Sequence, residues 1–270
     1  MKMYCITIFD NHLEKINKIG YVPVGLGDKI VSKKFLTDKT KENISQKNSF
    51  YGEYTFHYWL WKNGDKELPE NEWIGFCQYR KYWSLKKSNF ANCENLEDLR
   101  ETILKKIPEN LIDYESILGE PLFINQFKLT KFLKNNFKTM IKNPKLFINK
   151  NKRNIKFHFD MMHGNGNLDK AIKLLEKDDR DDFDNFINSE VSFNPHNMFI
   201  CRSSKTLKKY YNSLFPWLKR CEKEFGFDLK GYGLQRIYGF LAERFMSYWF
   251  RKNTKFTTLP IIFKDISELN

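Results

Sequence analysis

Amide and basic side chains are grouped just before a predicted helix in the N-terminal part of the chain. Residues 43–48 read Asn-Ile-Ser-Gln-Lys-Asn and lead into a segment of helical pattern that contains Glu53. Backbone N–H groups at a helix start attract anions, and the helix dipole adds to that attraction. The same residue types also serve as plain helix caps, which the spacing alone favours. The candidate ligands for a phosphate or diphosphate are Asn43, Ser45, Lys47 and Asn48.

A second group of basic and aromatic residues follows a short apolar run. Residues 73–77 have the length and composition of a buried strand, and Gln78, Tyr79, Arg80 and Lys81 come directly after it. In open α/β sheets, ligands bind outside the carboxyl ends of the strands. Arginine and lysine at that place suit phosphate oxygens. We therefore expect Tyr79, Arg80 and Lys81 to lie where phosphate and sugar groups bind.

Two further groups of polar residues lie in the C-terminal half. His158, Asp160, His163 and Asp169 fall within one short segment that also contains two glycines. Their spacing is not specific for a metal site, so we interpret the segment as a polar active-site loop. In the second group, Arg236 and Glu243 lie seven residues apart on a predicted helix, which places a cation and a carboxylate on one face.

Short apolar runs predict the strands that would position these groups. They occur at residues 4–9, 21–24, 73–77, 121–124, 198–201 and 259–263. Between them are segments of helical period, of which residues 49–63, capped by Ser49, and residues 234–250 are the clearest. This alternation is typical of an α/β fold. Because no internal repeat or long linker is present, we expect one domain spanning residues 1–270.

The charge of the chain favours an anionic partner. The 46 Lys and Arg residues outnumber 33 Asp and Glu residues, which gives a formal net charge of +13. Residues 126–156 contain ten of the basic residues and no acidic one, interleaved with Phe and Leu. Their first half fits a basic amphipathic helix that would lie on an anionic membrane surface. A packed helix with a solvated lysine face explains the same pattern equally well.

Several classes of protein are disfavoured by what the sequence lacks. It contains no Walker A loop, GxGxxG fingerprint, HExxH motif or GxSxG elbow. Its five cysteines are scattered and without CxxC spacing, which argues against a disulfide framework and a zinc site. The N-terminal apolar run has the length of a strand and lacks the features of a signal peptide. No run approaches the roughly 20 apolar residues of a membrane span, so we place the protein in the cytoplasm.

Ordered motifs along the chain resemble a family of bacterial glycosyltransferases from capsule and lipopolysaccharide gene clusters, long described as a domain of unknown function. The matching stretches are residues 21–25, 43–48, 51–53, 59–63, 74–82, 197–200 and 239–244. The resemblance implies a GT-A-like α/β fold with a twisted, mainly parallel central sheet flanked by helices. It also implies that residues 1–125 bind a nucleotide sugar and that residues 126–270 bind the acceptor.

The resemblance further implies an activity and a set of site residues. Members of the family are hexosyltransferases, some of them linked to transfer of galactofuranose from UDP-galactofuranose. The donor-binding residues here would be Thr7, Phe9, Asn43, Ser45, Lys47, Asn48, Glu53, Gln78, Tyr79, Arg80, Lys81 and Asn197. The acceptor would contact His158, His163 and Arg236. The chain departs from the family in having Gln78 and Lys81 where the family usually has His and Arg, and in its longer basic segment 126–156.

An inverting transferase needs a base to deprotonate the acceptor hydroxyl. The candidates are Glu243, Asp160 and Asp169, with His163 as an alternative proton acceptor. Glu243 could equally be structural, paired with a neighbouring arginine. A retaining enzyme would not require such a base, so the stereochemistry stays open.

Most GT-A enzymes hold a divalent metal through a DxD motif after a central strand, whereas this chain has Gln78-Tyr79-Arg80 there. Either the metal ligands lie elsewhere, or fixed cations neutralise the leaving diphosphate. We favour the second alternative, with Lys47, Arg80 and Lys81 as the cations. We therefore assign no metal ligand, and no cofactor other than the UDP-sugar substrate.

Two other classes of function compete with a transferase. A nucleic-acid-binding protein would explain the positive charge and the aromatic content, but most aromatic residues fall on apolar stripes and no RRM or OB signature is present. A non-catalytic carbohydrate-binding protein of the same fold is the other alternative. The partners that we expect are a nucleotide sugar, an oligosaccharide acceptor that is lipid-linked in some systems, and the inner face of the cytoplasmic membrane, but no nucleic acid.

Overall fold

Strands and helices alternate along most of the chain. The computed structural model describes residues 1–64, 68, 70, 72–87, 93–126 and 150–270. The described strands are β1 (Lys2–Thr7), β2 (Val22–Gly25), β3 (Leu36–Thr37), β4 (Ile74–Gln78), β5 (Lys81–Trp83), β6 (Ser116–Gly119), β7 (Leu122–Phe123), β8 (Ser192–Phe193), β9 (Phe199–Cys201), β10 (Phe256–Leu259) and β11 (Ile261–Phe263). The described helices are α1 (His12–Lys18), α2 (Asn48–Tyr51), α3 (Tyr54–Asn63), α4 (Leu96–Thr102), α5 (Ile155–His163), α6 (Asn167–Lys173), α7 (Lys177–Ser189), α8 (Ser204–Phe225), α9 (Tyr232–Gln235) and α10 (Ile237–Asn253).

The central sheet has the strand order β10-β6-β9-β4-β1-β2-β3. All of these strands run in the same direction except β9, which pairs antiparallel with both β4 and β6. Strand β5 extends this sheet by pairing antiparallel with β4 and β11, while β7 and β8 form a separate pair. The expected α/β fold with a mainly parallel central sheet is therefore confirmed. The sheet takes strands from both halves of the chain.

Both faces of the central sheet are buried, as parallel sheets require. Side chains alternate along β1, so that Tyr4 and Ile6 pack in one apolar cluster while Met3 and Cys5 pack in another. Helices α3, α8 and α10 contribute to the first cluster, and α1 and α4 contribute to the second. The carboxyl ends of the parallel strands are thereby held at one edge of a rigid layer.

Both well-marked helices of the sequence are divided in the structure. The predicted helix 49–63 is split into α2 and α3 at Gly52, whose φ of 59° lies in the left-handed region. Ser49 therefore lies inside α2 and is not its cap. The predicted helix 234–250 is split into α9 and α10 at Arg236, which adopts a non-helical conformation. Arg236 therefore does not share a continuous helix face with Glu243, and that part of the prediction was wrong.

Four of the six predicted strands are confirmed, and the other two differ from the prediction. Strands β1, β2, β4 and β9 lie where the sequence predicts them. The run 121–124 is instead the short strand β7 outside the central sheet, and the central strand β6 just before it was missed. The run 259–263 is divided by Pro260 into β10 and β11, because proline lacks the N–H that a continuing strand would use.

The segment predicted to contact a membrane lies almost entirely outside the described residues. Of residues 126–156, only Gln126 and residues 150–156 are described, and the predicted amphipathic helix falls on the others. Among the helices that the structure describes, none combines the length and the apolar character that a membrane span requires.

Candidate functional site

A cleft of about 170 Å³ lies at the carboxyl edge of the central sheet. It is bordered by the ends of β1 and β4, by the segment after β2, and by α2 with the residues that join it to α3. Parallel strands place their carboxyl ends together, which is why residues from distant parts of the sequence converge there. The side chains and backbone that line the cleft belong to Ile6, Thr7, Ile8, Leu26, Asn48, Ser49, Gly52, Glu53, Gln78, Tyr79, Arg80 and Arg236.

The carboxylate of Glu53 connects three parts of the chain at this cleft. Its Oε1 atom accepts hydrogen bonds from Gln78 Nε2 at 3.1 Å and from Asn197 Nδ2 at 2.8 Å. Its Oε2 atom lies 3.5 Å from Nη2 of Arg236. The side chain is 13% exposed, so it still faces the cleft. Two neutral donors and one cation thus fix the orientation of this carboxylate.

The residues just before β9 have an unusual backbone conformation. His196 and Asn197 have φ values of 80° and 55°, although neither is glycine. The His196 carbonyl accepts a 3.0 Å hydrogen bond from Gln78 Nε2, and its backbone N–H donates to Glu243 Oε1 at 2.6 Å. Left-handed non-glycine residues cost on the order of 1–3 kcal/mol each and are enriched at functional sites. The hydrogen bonds to Glu53, Gln78 and Glu243 hold this pair in place.

Three cations are present at or just behind the cleft. Arg80 lies over the Tyr79 ring with its side chain 60% exposed, and its Nε atom is 4.0 Å from Asp265. Arg236 also lines the cleft, beside Glu53. Lys81 does not line the cleft, since its ammonium lies behind it and bonds Gln78 Oε1 at 3.3 Å. Burial lowers the pKa of Lys81, an effect opposed by the nearby carboxylates of Glu53 and Glu243.

The end of β1 carries a small polar and aromatic group. The Thr7 hydroxyl accepts a hydrogen bond from the Phe9 N–H at 3.1 Å and lies 3.1 Å from His12 Nδ1. The rings of Phe9, His12 and Tyr79 pack against one another with centroids 5.0 to 5.6 Å apart. Burial lowers the pKa of His12, although Asp265 opposes the shift. No local pattern in the sequence indicates His12, because it is brought to this group by contacts with residues from separate segments of the chain.

Of the residues predicted to bind an anion at 43–48, the structure brings only Asn48 to the cleft. The Asn43 carboxamide oxygen accepts hydrogen bonds from the backbone and hydroxyl of Ser45, which forms a local turn. Lys47 points to the opposite side of α2, where its ammonium is 2.7 Å from Glu222. Asn48 lines the cleft, and its amide donates to the Gly52 carbonyl at 3.0 Å. The side chains of Asn43, Ser45 and Lys47 thus make structural contacts.

The carboxylate of Glu243 is engaged by protein groups on both oxygens. Oε1 accepts from the His196 N–H, and Oε2 pairs with the buried guanidinium of Arg244. Arg244 in turn lies 3.1 Å from His158 Nδ1 and packs over the Phe193 ring. Burial, followed by the charge of Arg244, lowers the pKa of His158 well below its usual range. Glu243 and His158 therefore belong to a buried network behind the cleft rather than to its lining.

The other predicted proton acceptors lie on α5 and α6, and none of them lines the cleft. Lys156 bridges the carboxylates of Asp160 and Asp169. His163 is buried, stacks on Phe240 and lies 3.0 Å from the Gly233 carbonyl. Burial lowers its pKa to about 3, so the ring is neutral at physiological pH and donates from Nδ1. Within the part of the chain that the structure describes, no three His, Cys, Asp or Glu side chains are grouped to hold a metal ion.

The fold is similar to that of the bifunctional glycosyltransferase WbbM in its apo form, with a TM-score of 0.65 and 19% sequence identity. The similarity covers 97% of this chain and 45% of the WbbM chain, so this chain spans less than half of the length of that protein. A comparison with curated proteins found no match. Residues 3–254 match a family described as a domain of unknown function, and over that length the chain belongs to the DUF4422 family.

Proposed function

We propose that this protein is a glycosyltransferase that transfers a hexose from a nucleotide sugar to a glycan acceptor. The observation that carries the proposal is the cleft at the carboxyl edge of the sheet, where Arg80, Arg236 and the Glu53 network converge. The fold shared with WbbM supports the same reaction class. As the specific donor we propose UDP-galactofuranose, and as the acceptor a glycan of capsule or lipopolysaccharide synthesis, on the resemblance of the sequence motifs.

The donor diphosphate would lie between the end of β4 and Arg236. Arg80 is 60% exposed and its Nε atom lies 4.0 Å from Asp265, a weak contact, so its guanidinium can turn onto phosphate oxygens at little cost. Arg236, which also lines the cleft, would contact the same group. Cations placed where negative charge develops on the leaving group stabilise the transition state. This arrangement of a GT-A-like site would work without a divalent metal, because Arg80 follows the strand where the usual carboxylates stand and Arg236 adds a second fixed cation.

If the reaction inverts the anomeric centre, Glu53 becomes the first candidate for the base. Glu53 is the one carboxylate among the described residues that line the cleft, whereas Glu243 lies outside that lining. Its hydrogen bonds from Gln78 and Asn197 would hold Oε1, while Oε2, which lies 3.5 Å from Arg236, would face the acceptor hydroxyl once Arg236 turns to the diphosphate. We keep Asp160 and Asp169 as weaker candidates, because Lys156 pairs with both of them away from the cleft.

A panel of nucleotide sugars tests the proposal directly. A ligand that binds only the folded state raises the apparent melting temperature, so the donor should raise Tm while other nucleotide sugars raise it less. UDP-galactofuranose should in addition be hydrolysed slowly in the absence of an acceptor. If neither UDP nor any nucleotide sugar shifts Tm or is turned over, the proposal is wrong.

We also propose that residues 126–156 attach the enzyme to the anionic inner face of the cytoplasmic membrane. The proposal rests on the ten basic residues and the apolar side chains of that segment. Each basic residue near an anionic surface contributes about 1 kcal/mol, and salt weakens the attraction. Co-sedimentation with vesicles should therefore increase with anionic lipid and decrease with salt. Replacing Lys131, Lys134, Lys138 and Lys142 with Gln should reduce it, and unchanged binding would contradict the proposal.

A further inference from the structure

A second depression, which we call the aromatic groove, lies on the opposite side of α2 from the cleft. It has a volume of about 440 Å³ and is bordered by the segment before α2, by α3 and by α8. The groove has a larger volume than the cleft. Its volume falls in the range of about 300 to 1,000 Å³ that is typical of sites for small molecules. Its floor contains the rings of Tyr58, Trp61 and Phe215, of which Tyr58 and Trp61 are half-buried.

The aromatic side chains of the groove are held in fixed orientations. Trp61 stacks on Phe215 with ring centroids 5.2 Å apart, and its indole N–H donates to Asn212 Oδ1 at 2.7 Å. The Tyr58 hydroxyl donates to Glu42 at 3.1 Å. Lys62 lies over the Trp61 ring, but its exposed, flexible stem can move aside for a ligand. Rings oriented before binding lose little entropy when they stack against the C–H face of a sugar.

The charges around the groove are nearly balanced, with Lys47, Lys62 and Lys219 against Glu42 and Glu222. Lys47 lies 2.7 Å from Glu222, and Lys62 lies 3.4 Å from Glu42. A polyanion such as nucleic acid would have to displace both carboxylates from their cations and would then be repelled by them. A neutral glycan meets no such penalty, since its hydroxyl groups can donate to the carboxylates and accept from the ammonium groups. The groove therefore favours a neutral, polyhydroxylated ligand with apolar ring faces.

The groove and the cleft share one wall. Asn48 and Gly52 line the cleft, while Lys47 and Tyr51 line the groove. Helix α2 is thus the partition, and the diameter of a helix with its side chains is about 10 to 12 Å. A chain of a few sugar residues that passes around this helix could occupy both places at once.

We propose that the aromatic groove binds the acceptor glycan at sugar residues remote from the one that receives the transferred hexose. This inference rests on the proposed glycosyltransferase function and adds to it a site that recognises the length of the acceptor. Trp61 and Tyr58 supply the stacking surface, and Glu42, Lys62 and Glu222 supply the hydrogen bonds. The enzyme would accordingly use a longer acceptor better than a short one.

The test compares the wild-type protein with Trp61→Ala and Glu42→Gln. Glu42 is exposed at the rim of the groove, so Glu42→Gln should keep the fold. This variant therefore tests the groove even if Trp61→Ala disturbs α3. Phe123→Ala, which removes an exposed aromatic ring on β7 outside the groove, is the matched control. The probes are neutral galactan oligosaccharides of increasing length, with single-stranded DNA and anionic vesicles as separate arms. Binding of UDP is measured in parallel.

The wild type and the Phe123→Ala control should bind the galactans with an affinity that rises with length. Both groove variants should bind the longer ones about tenfold more weakly, which corresponds to about 1.4 kcal/mol, while binding of UDP is unchanged. Three results would overturn the inference: no galactan binding by the wild type, equal binding by the groove variants, or a groove effect confined to DNA or vesicles. Failure of the proposed enzymatic function would instead show as absent turnover of any nucleotide sugar, with galactan binding unaffected.

Discussion

Replacement of Arg80 by alanine separates a role in binding the donor from a role in the fold. The Arg80 side chain is 60% exposed, and Asp265 lies 4.0 Å from its Nε atom. Exposed ion pairs of this kind contribute about 0.2 to 1 kcal/mol to stability, so the free energy of unfolding should change by less than about 1 kcal/mol. Loss of a cation that stabilises the leaving diphosphate should cost about 2 to 4 kcal/mol in the transition state.

The kinetic effect of Arg80→Ala should therefore be much larger than its effect on stability. A loss of about 2 to 4 kcal/mol corresponds to a decrease in kcat/KM of roughly 30- to 1,000-fold. The assay is donor turnover at low substrate concentration, with urea unfolding of the same preparations. Arg100→Ala is the matched control, because Arg100 is also an exposed arginine with one acidic partner, Glu97, but lies on α4. Unchanged kcat/KM, or a loss that Arg100→Ala reproduces, would refute the reasoning.

Three further predictions concern the cleft and the core. Glu53→Gln should lower kcat by about 10² to 10⁴ and abolish the acidic limb of the pH–rate profile if Glu53 is the base; a profile that keeps its shape would assign it a positioning role. Gly52→Ala should destabilise the protein in urea unfolding more than Gly166→Ala, because both glycines have positive φ but only at Gly52 would a Cβ meet another group, Arg236 Nη2, at 2.3 Å. Burial lowers the pKa of His57 to about 3 in the folded protein, whereas the ordinary histidine pKa is about 6.5. Below pH 6.5 the unfolded chain therefore binds a proton at His57 that the folded protein does not, and the wild type should lose stability as the pH falls from 7 to 5. For this group the loss is on the order of 2 kcal/mol, and His57→Gln should show a correspondingly smaller decrease over the same interval.

The sequence predicts those parts of the fold that a short, contiguous pattern of apolar residues encodes. Strands β1, β4 and β9 are short, mainly apolar runs, and their length and composition are typical of buried strands. Strand β6 has only four residues, Ser116 and Gly119 among them, so its place in the sheet depends on pairing with β9 and β10. Such pairing joins residues 81 to 140 positions apart in the sequence, and no local pattern encodes it.

The site could be predicted only in part for a related reason. Gln78, Tyr79 and Arg80 were found because the carboxyl end of a buried strand is a general place for ligands. Lys47 and Asn48 are adjacent in the sequence, yet one lines the aromatic groove and the other the cleft. Consecutive residues of a helical segment point in directions about 100° apart. Residues 43–48, which form one cluster in the sequence, are therefore divided between two surfaces.

The strained pair before β9 changes how any mutation of Glu243 must be interpreted. The left-handed conformations of His196 and Asn197 are offset by hydrogen bonds to Glu243, Gln78 and Glu53. Removing the Glu243 carboxylate would release the His196 N–H and leave the buried Arg244 guanidinium without its carboxylate. The pair could then relax and withdraw the Asn197 amide from Glu53, which lowers activity without any proton transfer at Glu243. Loss of turnover alone therefore cannot assign a base here, whereas a pH–rate profile that keeps its acidic limb would identify Glu243 as a positioning residue.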